Sequence, residues 1–336
     1  MVNRARFAVA SLALFALALT TPLFSPGVCA QGPVDPVREV EVRLFIIDVE
    51  NINDASQSFT ANLAMMMRWH DPDLAHSGPK PISMRLDDIW SPNIQILNQQ
   101  KLVSPFPRLA EVLPDGEVIY RQRYWGNFSQ PLKLRNFPFD SQRLQLTLVN
   151  VGFAAESVKL RPSRNSGISD SFSIPDWDIA GWNFDVVDLP FDDGSYRIDG
   201  MEFTLDVERD TSFFNYKVIL PLILIVVMSW LVFWIDPSLV ASQISVSVTA
   251  MLTIIAYRFA LAGLLPRLTF LTSLDYFVLV STIAVFVSMI EVIYTAYLST
   301  NGQLEQARAL DRKARLIVPL IYIPIALGTL SFGVWQ

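Results

Sequence analysis

The residues best suited to chemistry in this chain are hydroxyls inside an apolar run at 239–263. Five residues of this run recur at steps of four, three, four and three, and therefore share one helical face: Ser245, Thr249, Leu252, Ala256 and Phe259. Lipid offers a hydroxyl no partner, so this face is expected to contact either another helix or water. Taken alone, the segment is consistent with helix–helix contacts and with a water-filled pore ringed by identical helices.

Enzymatic and metal chemistry has few candidates. The chain of 336 residues holds 2 His and 1 Cys, too few for a zinc centre, a disulfide framework or a Cys/His nucleophile pair. His70 and His76 lie in a turn-rich stretch without a matching nucleophile or carboxylate spacing. The net charge of −6 argues against a nucleic-acid partner. We therefore predict no enzyme, cofactor or metal site.

The elements that must position the hydroxyls are long apolar segments. With 51% hydrophobic and 17% charged residues, the chain is more hydrophobic and less charged than a typical soluble protein. Four segments are long enough to cross a bilayer core of ~30 Å, and we place them at 214–234, 239–263, 272–298 and 312–334. The membrane part is therefore expected over 213–336, with the lipid bilayer as a partner.

Residues 31–212 have a different pattern. Short alternating runs such as Val40–Ile47 and Leu144–Val149 are separated by turn residues such as Pro114-Asp115-Gly116. Many short strands at this spacing predict an all-β sandwich. The fold class expected is thus a β-sandwich followed by a four-helix transmembrane bundle.

The two ends of the chain predict its orientation. Residues 1–30 carry Arg4 and Arg6, then an apolar run, then small residues up to Ala30 where a signal peptidase would cut. This order is typical of a signal peptide, and the apolar run is too short for a first membrane helix. The basic residues between the third and fourth segments belong in the cytoplasm by the positive-inside rule: Arg308, Arg312, Lys313 and Arg315. The β-domain and the C-terminus are expected outside.

Several motifs occur in a characteristic order along the mature chain. They are Trp69-His70-Asp71, Trp90-Ser91-Pro92-Asn93, Asn136-Phe137-Pro138-Phe139-Asp140, Arg209, Pro221, and Leu265-Pro266-Arg267-Leu268. In this order they resemble the pentameric ligand-gated ion channels, the Cys-loop receptor superfamily. Gln130 and Leu144 stand where animal members carry two cysteines, and the cytoplasmic linker is short, so the chain is most similar to the prokaryotic branch.

The resemblance implies a homopentamer in the inner membrane of a prokaryote, with its β-domain periplasmic and the second helix of each subunit lining a central pore. In that arrangement Ser245 and Thr249 form hydroxyl rings, and Leu252, Ala256 and Phe259 form apolar rings above them. Leu252 and Phe259 are the expected gate. The residues implied in coupling the two domains are Asp54, Pro138, Asp140, Arg209, Pro266 and Arg267.

Ligand and ion preference are the least determined features. The resemblance implies a small agonist bound between subunits, and four aromatic residues are candidates for a cation–π contact with an amine: Tyr120, Trp125, Phe153 and Tyr196. Residues 31–213 hold 27 Asp and Glu against 17 Lys and Arg, a net charge of −10 that favours permeant monovalent cations. Three alternatives stay open. The channel is anion-selective, or it is gated by protons or by divalent cations bound in the acidic space enclosed by the β-domains, or the protein is a non-conducting sensor.

Overall fold

A computed structural model describes residues 37–151, 158–191, 196–263 and 268–331. The predicted signal peptide lies outside these residues. Within them, the chain forms a β-domain of twelve strands and then four long helices. This architecture confirms the predicted fold class.

Eight strands form one sheet of the β-domain: β1 (Arg38–Asn53), β2 (Ser58–His70), β3 (Ile82–Arg85), β5 (Gln99–Val103), β6 (Leu109–Val112), β7 (Glu117–Ser129), β9 (Val158–Pro162) and β10 (Gly167–Ile168). They run in the order β10-β1-β2-β7-β6-β3, with β5 beside β7 and β9 beside β1. The other sheet contains β4 (Ile94–Ile96), β8 (Ser141–Asn150), β11 (Trp177–Phe191) and β12 (Tyr196–Arg209), in the order β11-β12-β8-β4.

Alternating side chains explain why these segments are strands. In β1, Val40, Val42, Leu44 and Ile46 are buried while the residues between them are partly exposed. They belong to the same apolar cluster as Phe203 of β12, so each sheet contributes one face to a shared core.

The four helices are α1 (Ser212–Trp234), α2 (Val240–Leu261), α3 (Ser273–Thr300) and α4 (Leu304–Ser331), each long and apolar enough to cross a membrane. The start of α4 at Leu304 precedes the expected start near 312. Hydropathy treats 304–315 as a charged linker, but its Leu, Ala, Glu, Gln, Lys and Arg residues all favour helix. Ala307 and Ala314 of this stretch are buried, so it forms about the first three turns of α4 and packs against the rest of the bundle.

Pro221 explains a local contact between α1 and α2. Proline has no N–H, so Pro221 leaves the carbonyl of Lys217 without its usual helical donor. The hydroxyl of Tyr257 lies 3.4 Å from that carbonyl and donates to the neighbouring carbonyl of Val218 at 2.7 Å. The helix passes through a π-helical stretch here, Asn215–Ile219, and α2 supplies the donor that α1 lacks.

Candidate functional site

The predicted stripe on α2 is the least covered face of that helix. Its five residues are all exposed in the single chain, and the side chains of Leu252 and Phe259 are 62% and 78% exposed. The opposite face packs against the rest of the bundle through Gln243, Ser247, Ala250, Ile254 and Leu261. The structure therefore puts Ser245, Thr249, Leu252, Ala256 and Phe259 together on a face that no other helix of the described chain covers.

The threonine hydroxyls of α2 are oriented by the helix backbone. Thr249 donates to the carbonyl of Ser245 at 2.8 Å, and Thr253 donates to the carbonyl of Thr249 at 2.7 Å. Because each hydrogen is used within the helix, the hydroxyl oxygen has only lone pairs left for another partner. At Thr249, which is exposed, that partner is best a donor or a cation.

Three charged residues implied in coupling lie in contact. The guanidinium of Arg209 donates from Nε to Asp140 Oδ1 at 2.9 Å and from one terminal nitrogen to Asp54 Oδ1 at 2.9 Å. The same nitrogen donates to Asp140 Oδ2 at 3.2 Å. Arg209 and Asp140 are almost fully buried, with 7% and 1% of their side chains exposed. One arginine thus joins the end of β12 to two loops of the β-domain.

The surroundings of this cluster are aromatic and weakly hydrated. The guanidinium carbon of Arg209 lies 4.2 Å from the ring centre of Trp177 and 4.8 Å from that of Phe137. Burial raises the pKa of Asp54 above its ordinary value, against the opposing hydrogen bond and charge of Arg209. Asp54 therefore accepts a proton at a higher pH than an exposed aspartate.

The loop between β7 and β8 is closed by glutamine amides, and Gln130, one of the two residues that stand at the expected cysteine positions, is one of them. Gln130 donates to the carbonyl of Arg143 and accepts from the N–H of Gln145 at 2.7 Å. Gln142 exchanges two hydrogen bonds with the backbone of Lys133, at 2.9 and 3.1 Å, and donates to Asp140. These amides hold the loop that presents Asp140 to Arg209.

The tip of the same loop contacts the membrane helices. The N–H groups of Ser273 and Leu274, at the start of α3, donate to the carbonyls of Arg135 and Phe137 at 2.9 and 3.2 Å. Helix N-termini have free N–H groups, and here the loop satisfies two of them. The Phe137 ring also packs edge-on against Phe214 of α1, at 4.9 Å. Pro138 follows Phe137 through a cis peptide bond and so lies at this contact.

Of the remaining predicted residues, the structure describes the side chains of Tyr120 and Trp125 alone, and these lie five positions apart on β7. Pro266, Arg267 and Phe153 lie outside the described residues, and Tyr196 is described only by its place at the start of β12. Tyr120 is buried and lines a cavity of about 710 Å³ with Gln122 and Tyr124. Trp125, on the same strand β7, is exposed and donates from Nε1 to Glu50 at 2.7 Å.

Sequence reasoning missed Gln142 and Trp177. Gln142 donates to Asp140, and the ring of Trp177 lies against the guanidinium of Arg209. Trp177 has no signal in its local pattern. Gln142 has one, because it falls on the apolar side of the alternating strand β8, and a buried amide needs partners.

Comparison with known proteins adds to this geometry. Residues 29–211 match the neurotransmitter-gated ion-channel ligand binding domain, and residues 218–318 match the neurotransmitter-gated ion-channel transmembrane region. The chain is 26% identical to a proton-gated ion channel of Gloeobacter violaceus over 326 residues, 92% of this chain and 90% of that protein.

Two animal proteins are also similar. A gamma-aminobutyric acid receptor subunit beta of Caenorhabditis elegans is 25% identical over 261 residues, 74% of this chain and 47% of that protein. A gamma-aminobutyric acid receptor subunit theta of Mus musculus is 24% identical over 290 residues, 83% of this chain and 45% of that protein. The chain thus spans about half the length of these two subunits.

Proposed function

This chain belongs to the family of neurotransmitter-gated ion channels, and we propose that five copies of it surround a central pore that conducts cations when a small ligand binds the β-domains. Members of this family are ligand-gated channels in membranes and not enzymes. The β-domain is periplasmic in this proposal, and the basic residues Arg312 and Lys313, at the end of the bundle away from it, face the cytoplasm.

The observation that carries the proposal is the uncovered stripe on α2. A face with hydroxyls at one end and large apolar side chains at the other would be costly in lipid, but in a ring of five it gives polar rings and a narrow apolar constriction. Such a constriction stays dry and blocks ions without sealing tightly. Recording single-channel currents from the purified protein in planar bilayers, across a screen of ligands and pH, tests it.

We expect the purified chain to be a homopentamer in detergent. The stripe of α2 is uncovered in the single chain, and identical helices in a closed ring would enclose it around the central axis, away from lipid. Native mass spectrometry should give a dominant species of five mature chains. A stable monomer or dimer as the main species would contradict the proposal.

We expect the pore to prefer cations. The hydroxyl oxygen of Thr249 presents lone pairs to ions in the proposed pore. The acidic β-domain raises the local concentration of cations above the pore. In a salt gradient the reversal potential should follow the cation, and this preference should weaken at high ionic strength, which screens the field. A reversal potential that follows chloride would instead assign the pore to the anion-selective members of the family.

A small amine is one candidate for the ligand, because the surroundings of Trp125 suit an ammonium group. This exposed indole lies beside the carboxylate of Glu50, so an ammonium group could meet both a ring face and a negative charge. Trp125→Phe should keep more of the response to an amine agonist than Trp125→Ala does. Phe153 and Tyr196 remain candidates for the same site, whereas the buried Tyr120 lies on the other side of the sheet from Trp125.

Protons are a second candidate ligand, because the raised pKa of Asp54 makes its carboxylate sensitive to acidification. Because the pKa of Asp54 is raised by burial, acidification neutralises this carboxylate early and weakens its bond to Arg209. The contribution of Asp54 to stability is accordingly present at low pH and declines as the pH rises through its titration. We expect Asp54→Asn, which fixes a neutral side chain, to shift or remove any response of the current to external pH. A pH response identical to that of the unmodified protein would exclude Asp54 as the sensor.

A further inference from the structure

A polar cluster of Glu291, Asp311 and Gln243 lies at the end of the bundle away from the β-domain, and in it Asp311 and Gln243 are buried while Glu291 is partly buried. Glu291 of α3 is about 27 Å along that helix from its first residue, at 1.5 Å per residue. Its carboxyl group lies within hydrogen-bonding reach of the carboxyl group of Asp311 on α4. Gln243, near the start of α2, donates from Nε2 to Asp311 Oδ2 at 3.3 Å. The cluster therefore joins the pore helix to both outer helices.

The cluster has many acceptors and few donors. Among the described residues, both oxygens of Glu291, Oδ1 of Asp311 and Oε1 of Gln243 are buried without a hydrogen-bond partner. Asp311 and Gln243 are 1% and 0% exposed, so solvent does not reach them from the outside of the single chain. Buried polar atoms are normally satisfied, so four unsatisfied acceptors at one place indicate a missing donor.

Neighbouring cations do not supply that donor. Arg315 of α4, whose charge acts on Asp311, donates instead to the carbonyl of Phe233 at 3.0 Å and lies over the ring of Trp234. Arg308 is paired with Asp236 at 3.0 Å and with Glu305 at 2.9 Å. Asp236 adds a further negative charge to the field at Asp311. The uncharged Gln243 is the donor that α2 contributes.

We propose that Glu291 and Asp311 form a proton-binding site, in which one proton shared between the two carboxyl groups links α3 to α4 beside the base of the pore helix. Two ionised carboxylates in contact repel each other and bring no hydrogen, whereas one added proton makes a charge-assisted hydrogen bond between them. A proton also removes one of the two charges that the membrane interior penalises. Gln243 then holds the remaining oxygen of Asp311, two residues before Ser245 of the stripe.

Infrared spectroscopy of the full-length protein in lipid tests this site directly and needs no channel activity. At neutral pH we expect a C=O stretch of a protonated carboxyl group that shifts to lower frequency in D₂O. Glu291→Gln and Asp311→Asn should each remove it, because either amide can make the contact without a shared proton. Glu305→Gln is the matched control, since Glu305 is an exposed carboxylate of the same region, and it should leave the band unchanged.

Thermal unfolding provides a second measurement. Raising the pH removes the shared proton and leaves two buried like charges, so the unfolding temperature of the unmodified protein should fall more between neutral and alkaline pH than that of Glu291→Gln. A carboxyl band that survives both substitutions, or no such band at neutral pH, would overturn the proposal. A band that emerges only after a chelator strips divalent cations would also overturn it, by assigning the pair to a bound metal ion.

Discussion

Replacing Arg209 with alanine is expected to abolish ligand-evoked current while pentamers still form. The change removes three hydrogen bonds at once and leaves Asp140, with 1% of its side chain exposed, as a buried charge without its cation. Removing one partner of a buried pair typically costs about 3–5 kcal/mol, which falls here on the contact between the β-domain and the helices. The β-sandwich and the helices each keep their own buried side chains. The measurement pairs pentamer yield by size exclusion with ligand-evoked current.

A charge exchange separates coupling from plain structural support. In the double variant Arg209→Asp with Asp140→Arg, the attraction across the contact is restored with reversed signs, so part of the current should return. Arg143→Ala is a matched control, because Arg143 pairs with Asp206 on the exposed surface of the same domain and such pairs contribute little. Normal gating in Arg209→Ala would remove Asp54, Asp140 and Arg209 from the mechanism. Reduced yield with normal gating of the surviving channels would assign them a structural role.

Replacing Leu252 with serine is expected to give current without ligand. Leu252 is 62% exposed in the single chain and lies at the start of the apolar part of the stripe. Five serines in place of five leucines would wet the proposed constriction and lower the barrier to hydration, which shifts the closed–open balance toward open. The expected result is spontaneous current or activation at a lower ligand concentration, measured in planar bilayers.

The control for this prediction is Ile255→Ser. Ile255 lies on the same helix and is also exposed in the single chain, but it points about 80° around the helix from the centre of the stripe. It should change activation less than Leu252→Ser does. If Leu252→Ser activates normally at normal surface expression, the constriction lies elsewhere, and Phe259→Ser is the next variant to record.

The local sequence pattern was sufficient to predict the strands and most of each helix. The alternation in β1 and the long apolar runs depend on residues a few positions apart, which share a face whatever the rest of the chain does. The start of α4 at Leu304 was missed for the same reason. Hydropathy reports which residues suit lipid, and the charged first turns of α4 are helical because of backbone propensity and packing of Ala307 and Ala314.

Aromatic ligand candidates show a second limit. Tyr120 and Trp125 lie five positions apart on β7 and therefore point to opposite sides of the sheet, so one is buried and the other exposed. From the sequence both residues are equally good candidates for a ligand contact, because both are aromatic. Only the direction of the sheet relative to its core distinguishes them.

The sequence by itself determined the β-domain, the four helices and the stripe on α2, because each follows from periodicity among neighbouring residues. The tertiary structure decided which distant polar groups meet. Arg209 reaches Asp54 across 155 positions and Gln243 reaches Asp311 across 68, and no pattern within either segment encodes such a contact. The motifs suggested the first contact through resemblance alone, and nothing in the sequence suggested the second or the Glu291 carboxyl beside it. Charges and amides pair wherever folding brings them together out of water, and that position is a property of the packed chain as a whole.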